Sequence, residues 1–263
     1  MKKPLLAGLL LTVLSPMFAT AQSAFDGTWK IDLSKAQMPK KPDVYLLQNG
    51  TWDCKTCVPE VVIKADGQDQ KVTGHPYYDT IAIAVVDEHT IAETDKKDGK
   101  VVNTSKTTVA ADGKTANFEF NDSSNTNAEP VVGKGVITRV SKGPAGTHPI
   151  SGSWRTTSFD NMSDNGLLFT YKMDGDNLSM TTPTGQSYTA KLDGTDAEYK
   201  GDPGTNGVSV KKMGEHSIEE TDKRDGKVIS VGKITVTPDG KTLNIAVSDK
   251  LHGTTMAFVA VKQ

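Results

Sequence analysis

Glu88–Thr115 reads EHTIAETDKKDGKVVNTSKTTVAADGKT, and Glu215–Thr242 reads EHSIEETDKRDGKVISVGKITVTPDGKT. Extended to Asp122 and Asp249, the two stretches align without a gap at an offset of about 127 residues, and about 20 of 35 positions are identical. The register continues upstream, where Asp66-Gly67-Gln68-Asp69 with Gly74 matches Asp193-Gly194-Thr195-Asp196 with Gly201. Farther back, Gly27-Thr28-Trp29-Lys30 corresponds to Gly152-Ser153-Trp154-Arg155 after a slip of two in the offset. Such identity at a fixed period marks a duplication.

Each copy reads as strands joined by tight turns. Thr80–Val85 alternates large apolar and small residues at period two, and Gly207–Lys211 does so more cleanly. Asp98-Gly99, Asp112-Gly113, Asp225-Gly226 and Asp239-Gly240 sit between such runs and supply the positive φ that hairpin turns require. No stretch of about twelve residues carries an apolar stripe at helical spacing. The turns mark eight or nine strands per copy, as in an antiparallel meander. Sheets of that size avoid long bare edges by closing, so two tandem antiparallel β-barrels are expected. Two prolines and two glycines within Lys142–Pro149 read as a break. The expected organisation is a first unit at 25–142, a linker at 143–149 and a second unit at 150–263.

The N-terminus expects export. Lys2 and Lys3 precede an apolar run from Leu5 to Leu14, and Ala19-Thr20-Ala21 offers small residues for cleavage. The run is too short to cross about 30 Å of hydrocarbon as a helix, so 1–21 reads as a signal peptide and the mature chain is expected to start near Gln22, periplasmic or secreted. The net charge is −2 and only three of the 30 cations are arginines, which argues against a nucleic-acid partner. No later segment is apolar enough to span a membrane. No phosphate-cradling loop, nucleophile elbow or metal-protease motif is present, so no cofactor or metal and no catalytic residue is expected.

Gly27-x-Trp29 and Gly152-x-Trp154, each opening the first strand of a copy, resemble the opening motif of the lipocalin and fatty-acid-binding barrels. Thr28–Lys35 and Asp79-Thr80-Ile81 are also similar to a group of secreted bacterial lipocalin-like proteins. The resemblance implies a barrel closed at one end by the tryptophan, with a basic side chain from a late strand over it. Neither C-terminal strand carries the Arg-x-Tyr that would hold a fatty-acid carboxylate: Arg139-Val140-Ser141 lacks the tyrosine, and the second copy ends Ala260-Val261-Lys262.

Cys54-Lys55-Thr56-Cys57 lies between two strand-like runs and has no counterpart in the second copy. Cysteines three apart in a turn reach the separation a disulfide tolerates, and an oxidising compartment preserves it. Glu93 and Glu220 follow Ile91 and Ile218 by two residues, so strict alternation puts each glutamate on its isoleucine's face. An inward face makes them ligand contacts, and a bulge that turns them outward makes them solvated charges. Unpaired carboxylates are rarely buried, so the outward reading is the expectation. Trp29 and Trp154 read first as core plugs. With Tyr78, Tyr188, Glu93 and Glu220 they complete the candidate ligand-binding set. His89 and His216 read as turn residues. The expected function is binding of a small apolar or amphipathic molecule in a barrel cavity. The alternative is a structural or interaction module without a small ligand.

Overall fold

The computed structural model describes residues 23–124 and 129–263, so the expected leader lies outside the described residues. Regular structure there is all strand, apart from two 3-10 turns at Leu33–Lys35 and Asp164–Gly166. In chain order the strands are β1 (Gly27–Ile31), β2 (Asp43–Gln48), β3 (Thr51–Cys54), β4 (Val61–Lys64), β5 (Gln70–Lys71), β6 (Thr80–Val85) and β7 (Thr90–Lys97). They continue with β8 (Lys100–Val109), β9 (Thr115–Asp122), β10 (Val131–Lys142), β11 (Gly152–Met162), β12 (Leu168–Asp174), β13 (Asn177–Thr181) and β14 (Ser187–Lys191). The chain ends with β15 (Asp193–Lys200), β16 (Gly207–Gly214), β17 (Ser217–Arg224), β18 (Lys227–Val236), β19 (Thr242–Asp249) and β20 (Thr254–Lys262).

These strands form two ten-stranded antiparallel sheets. One closes on itself in the order β1-β12-β13-β14-β15-β16-β17-β18-β19-β20, and we term it the closed barrel. The other runs β4-β3-β2-β11-β10-β9-β8-β7-β6-β5 around its own core, and we term it the open barrel. Ten strands exceed the eight or nine that the turns mark, in part because β5 is only two residues long. At Asp98-Gly99 and Asp225-Gly226 both turn residues have positive φ, near 50° and 76°. That is the two-residue geometry whose twist matches the flanking strands.

The sheets do not follow the repeat boundaries. β1, from the first copy, lies between β12 and β20 of the closed barrel, with Trp29 opposite Phe169 and Lys262. β11, from the second copy, lies between β10 and β2 of the open barrel, with Trp154 opposite Arg139 and Asp43. The two copies have exchanged their first strands. Residues 143–149, expected as the linker, instead connect the neighbouring strands β10 and β11 within one sheet. That loop is pinned to its own barrel: His148 N–H donates to the Leu47 carbonyl, and Arg139 donates to the Ser151 carbonyl at 2.8 Å. The chain passes between barrels at 32–42 and at 163–167. Physically, an antiparallel neighbour is reached by a short hairpin loop, and the 143–151 connection is short enough to make one.

Each tryptophan plugs the barrel it has joined. Trp29 and Trp154 are fully buried, and their indole N–H groups donate to the carbonyls of Phe25 (2.9 Å) and Ile150 (2.7 Å). The Lys262 ammonium lies 4.9 Å from the Trp29 ring centroid, and the Arg139 guanidinium 3.9 Å from that of Trp154. Both basic lids come from late strands, β20 and β10. A Cβ on Gly152 would stand 2.2 Å from the Ser141 carbonyl oxygen, so only glycine lets the Trp154 strand start this close to β10.

The open barrel keeps a seam between β4 and β5. In the closed barrel the corresponding strands pair through Ser187 with Lys200 and Tyr188 with Tyr199. Val61 and Val72 stand in the places of those tyrosines, and Pro59 stands in the place of Gln186. Proline has neither an N–H nor a side-chain amide to give, whereas the Gln186 side-chain amide donates across to the Gly201 carbonyl at 3.4 Å.

Candidate binding cavity

β7 and β17 carry the acid pairs that organise the two interiors. In β7, Ile91, Glu93 and Asp95 alternate with outward residues. The register slips between Asp95 and Lys96. In β17 the slip falls between Asp222 and Lys223, again after the second acid. The bulge that would turn the glutamates outward therefore exists, but it comes too late in the strand. This corrects the outward expectation: Glu93 and Glu220 point inward, each with an aspartate two residues on.

In the open barrel, Glu93 borders a cavity of about 310 Å³. Tyr45 and Trp52 form one wall, with ring centroids 5.1 Å apart and planes 20° apart. Trp154, Ile150, Phe118 and Ile137 also line it. The Cys54–Cys57 disulfide, with Cα atoms 5.4 Å apart, borders the same space. A second recess of about 420 Å³, lined by Tyr77, Asp95, Asn103, Phe120 and Asp122, shares Tyr78 and Ser105 with the cavity. Tyr78 thus stands where the mouth meets the interior, stacked on His75 at 4.7 Å.

Glu93 is enclosed by protein yet keeps surface toward the cavity. Burial, then repulsion from Asp95, pushes its carboxyl well above the ordinary range, so it holds a proton at neutral pH. Asp95 is only 4 % exposed. Burial raises its carboxyl too, while hydrogen bonds from Asn103 and Glu93 oppose the rise. The Asn103 amide donates to Asp95 Oδ2 at 2.9 Å. Asp95 Oδ1 is buried and takes no hydrogen bond from the Asn103 amide, and a hydrogen bond between the two carboxyls raises Glu93 and lowers Asp95. The pair is a proton-sharing dyad bearing one negative charge.

The closed barrel repeats the acid pair, with Asp222 Oδ1 also buried without a partner, and surrounds its glutamate with phenols. Tyr188 Oη donates to Glu220, and Tyr171 and Tyr199 pack around it, with the rings of Tyr188 and Tyr199 5.8 Å apart. Burial and then Asp222 raise Glu220, while the two phenols at Tyr188 and Tyr171 partly oppose this. Ser230 donates to Asp222 Oδ2 at 2.6 Å, in the place that Asn103 holds opposite Asp95.

The structure therefore brings Tyr78, Glu93, Trp154, Cys54 and Cys57 together around one cavity, and places Trp29, Tyr188 and Glu220 in the other barrel. The cysteines form the expected disulfide. His89 and His216 hold turn positions, where their carbonyls accept from Val109 and Val236. Sequence reasoning missed Asp95 and Asp222, although Glu-Thr-Asp in both copies, with acids at period two, was a readable signal. It also missed Tyr45 and Trp52. Among the described residues no group of three or more His, Cys, Asp or Glu is placed to hold a metal ion, and no described helix is long and apolar enough to cross a membrane. Compared with models of known protein families and with curated proteins, the chain matches none.

Proposed function

We propose that this is an exported lipocalin-like binding protein that holds one small amphipathic molecule in the open barrel, while the closed barrel serves as its structural partner. The observation that carries this reading is the cavity of about 310 Å³, walled mainly by aromatic and aliphatic side chains with a few polar groups such as Glu93, Ser105 and Thr107 among them. That is the usual make-up of a small-molecule site. The mouth beside Tyr78 and the seam beside Val61 both offer routes inward. Export is supported by the disulfide, which persists in oxidising compartments, and by the basic and apolar N-terminal sequence. The mature chain is then expected to begin near Gln22.

Trp52 and Trp154 report on the cavity directly. Titration with short-chain probes of about eight carbons should shift tryptophan emission saturably, with one probe per chain in native mass spectrometry. If alcohol, amine and acid probes all fail to saturate, the binding reading fails.

A further inference from the structure

We propose that the ligand is an organic cation, a primary or secondary ammonium on an apolar body, with its charged end at the Glu93–Asp95 dyad. This rests on the binding reading above and narrows it to one chemical class. The residues lining the cavity and its mouth include Asp43, Glu93, Asp95 and Asp122, and none of them is Lys, Arg or His. Asp95 Oδ1 is buried without a conventional donor. Buried carboxylates are costly unless a cation or several donors meet them. Among the described residues, Asn103 and the protonated Glu93 are the donors to Asp95.

The aromatic content points the same way. Tyr77, Tyr78 and Phe120 line the mouth beside Asp95, and Tyr45 stacks on Trp52 deeper inside. Aromatic faces attract cations, most strongly where water is excluded. His75, stacked on Tyr78, is held below its ordinary pKa by burial and stays neutral at pH 7, so it adds no opposing charge.

The arrangement also disfavours anions. A fatty carboxylate would meet like charge at the dyad. The one arginine at this barrel's core, Arg139, is engaged under Trp154 by the carbonyls of Gly113, Pro149 and Ser151. A neutral alcohol can accept a hydrogen bond from Glu93 or donate one to Asp95, but it brings no charge to pair with the carboxylate. An ammonium pairs with that charge and favours ionisation of Glu93 as well. Binding near neutral pH should then release up to one proton from the dyad to the buffer.

The test is calorimetric titration of the full disulfide-bonded chain with octylammonium chloride, octanol and octanoate, in buffers of different ionisation enthalpy. The expected result is that octylammonium binds at least about tenfold more tightly than octanol, with net proton release, and that octanoate does not bind. Glu93→Gln should weaken octylammonium by about tenfold or more while leaving octanol within about twofold. Asp95→Asn provides the same comparison if Glu93→Gln does not fold. Octanol binding as tightly as octylammonium, or a cation affinity untouched by the folded variant, overturns the cation assignment and leaves the cavity reading standing. Failure of all three probes to bind overturns both.

Discussion

In the closed barrel the phenol of Tyr188 donates to Glu220, whereas in the open barrel Val61 takes the place of Tyr188 and Glu93 faces a cavity. Tyr199 and Val72 differ in the same way across the seam positions, and Gln186 and Pro59 differ beside them. The exchange is not all in one direction. Pairing positions put Trp52 and Ile63 of the open barrel where Leu178 and Ala190 stand in the closed one, so bulk lost near the seam is partly returned on the neighbouring wall. What changes is where the bulk sits. The phenol that reaches the acid in one barrel is a valine in the other, where an indole standing in the place of Leu178 stacks on Tyr45 instead. The comparison teaches that the acid pair is common to the duplicated unit, and that a few neighbouring side chains decide whether its glutamate meets a phenol or a cavity.

The largest way to break the comparison is Tyr188→Val. It removes a buried aromatic and the donor to Glu220 at once, and the closed barrel should lose about 3–5 kcal/mol. Urea unfolding followed by tryptophan emission measures this, because Trp29 reports on that barrel. A loss below about 1 kcal/mol would show that the phenol does not hold the interior together.

The pH dependence sharpens the same contrast. The folded protein holds protons on Glu93 and Glu220 up to a pH of about 8, while the unfolded chain loses them near pH 4.5. The unfolded state therefore binds fewer protons across that window, and stability falls as pH rises through it, by at most about 1.4 kcal/mol per pH unit for each group. Below pH 4 the contribution is complete, and above pH 8 it is gone. Glu93→Gln and Glu220→Gln should each flatten part of the slope, leaving both variants more stable than the parent at pH 8. Water entering the cavity screens Glu93 more than phenols screen Glu220, so Glu220→Gln should flatten it more. Urea midpoints at pH 5 and pH 8 decide the order.

Much of the fold was legible because the turns and the repeat are local. Asp98-Gly99 and Asp225-Gly226 need no tertiary context to be read as hairpin turns. The strand exchange was not legible, because Gly27–Ile31 and Gly152–Arg155 carry the same pattern and either could plug either barrel. The choice rests on connection lengths and on which neighbour each strand meets, such as Lys262 over Trp29. The glutamates could be placed on their isoleucines' face, but their final direction depended on a bulge whose position, after Asp95 rather than before Glu93, the side-chain pattern does not encode. The cavity itself depends on Val61 standing where a tyrosine could. Valine and tyrosine both favour strands, so neither residue type signals a void.

Val61→Tyr is the smallest change and the most direct test of that last point, because it writes the closed barrel's solution into the open one. A phenol at position 61 should reach across the cavity toward Glu93 as Tyr188 reaches Glu220. Filling a void and giving a buried carboxyl a partner are both stabilising, and the expected gain is about 0.5–2 kcal/mol. The same side chain occupies the space a ligand needs, so saturable binding of an eight-carbon probe should disappear. Gain of stability with loss of binding identifies one cavity behind both effects. A destabilised protein that still binds would instead place the ligand elsewhere and leave the Val61 side of the open barrel as packed core.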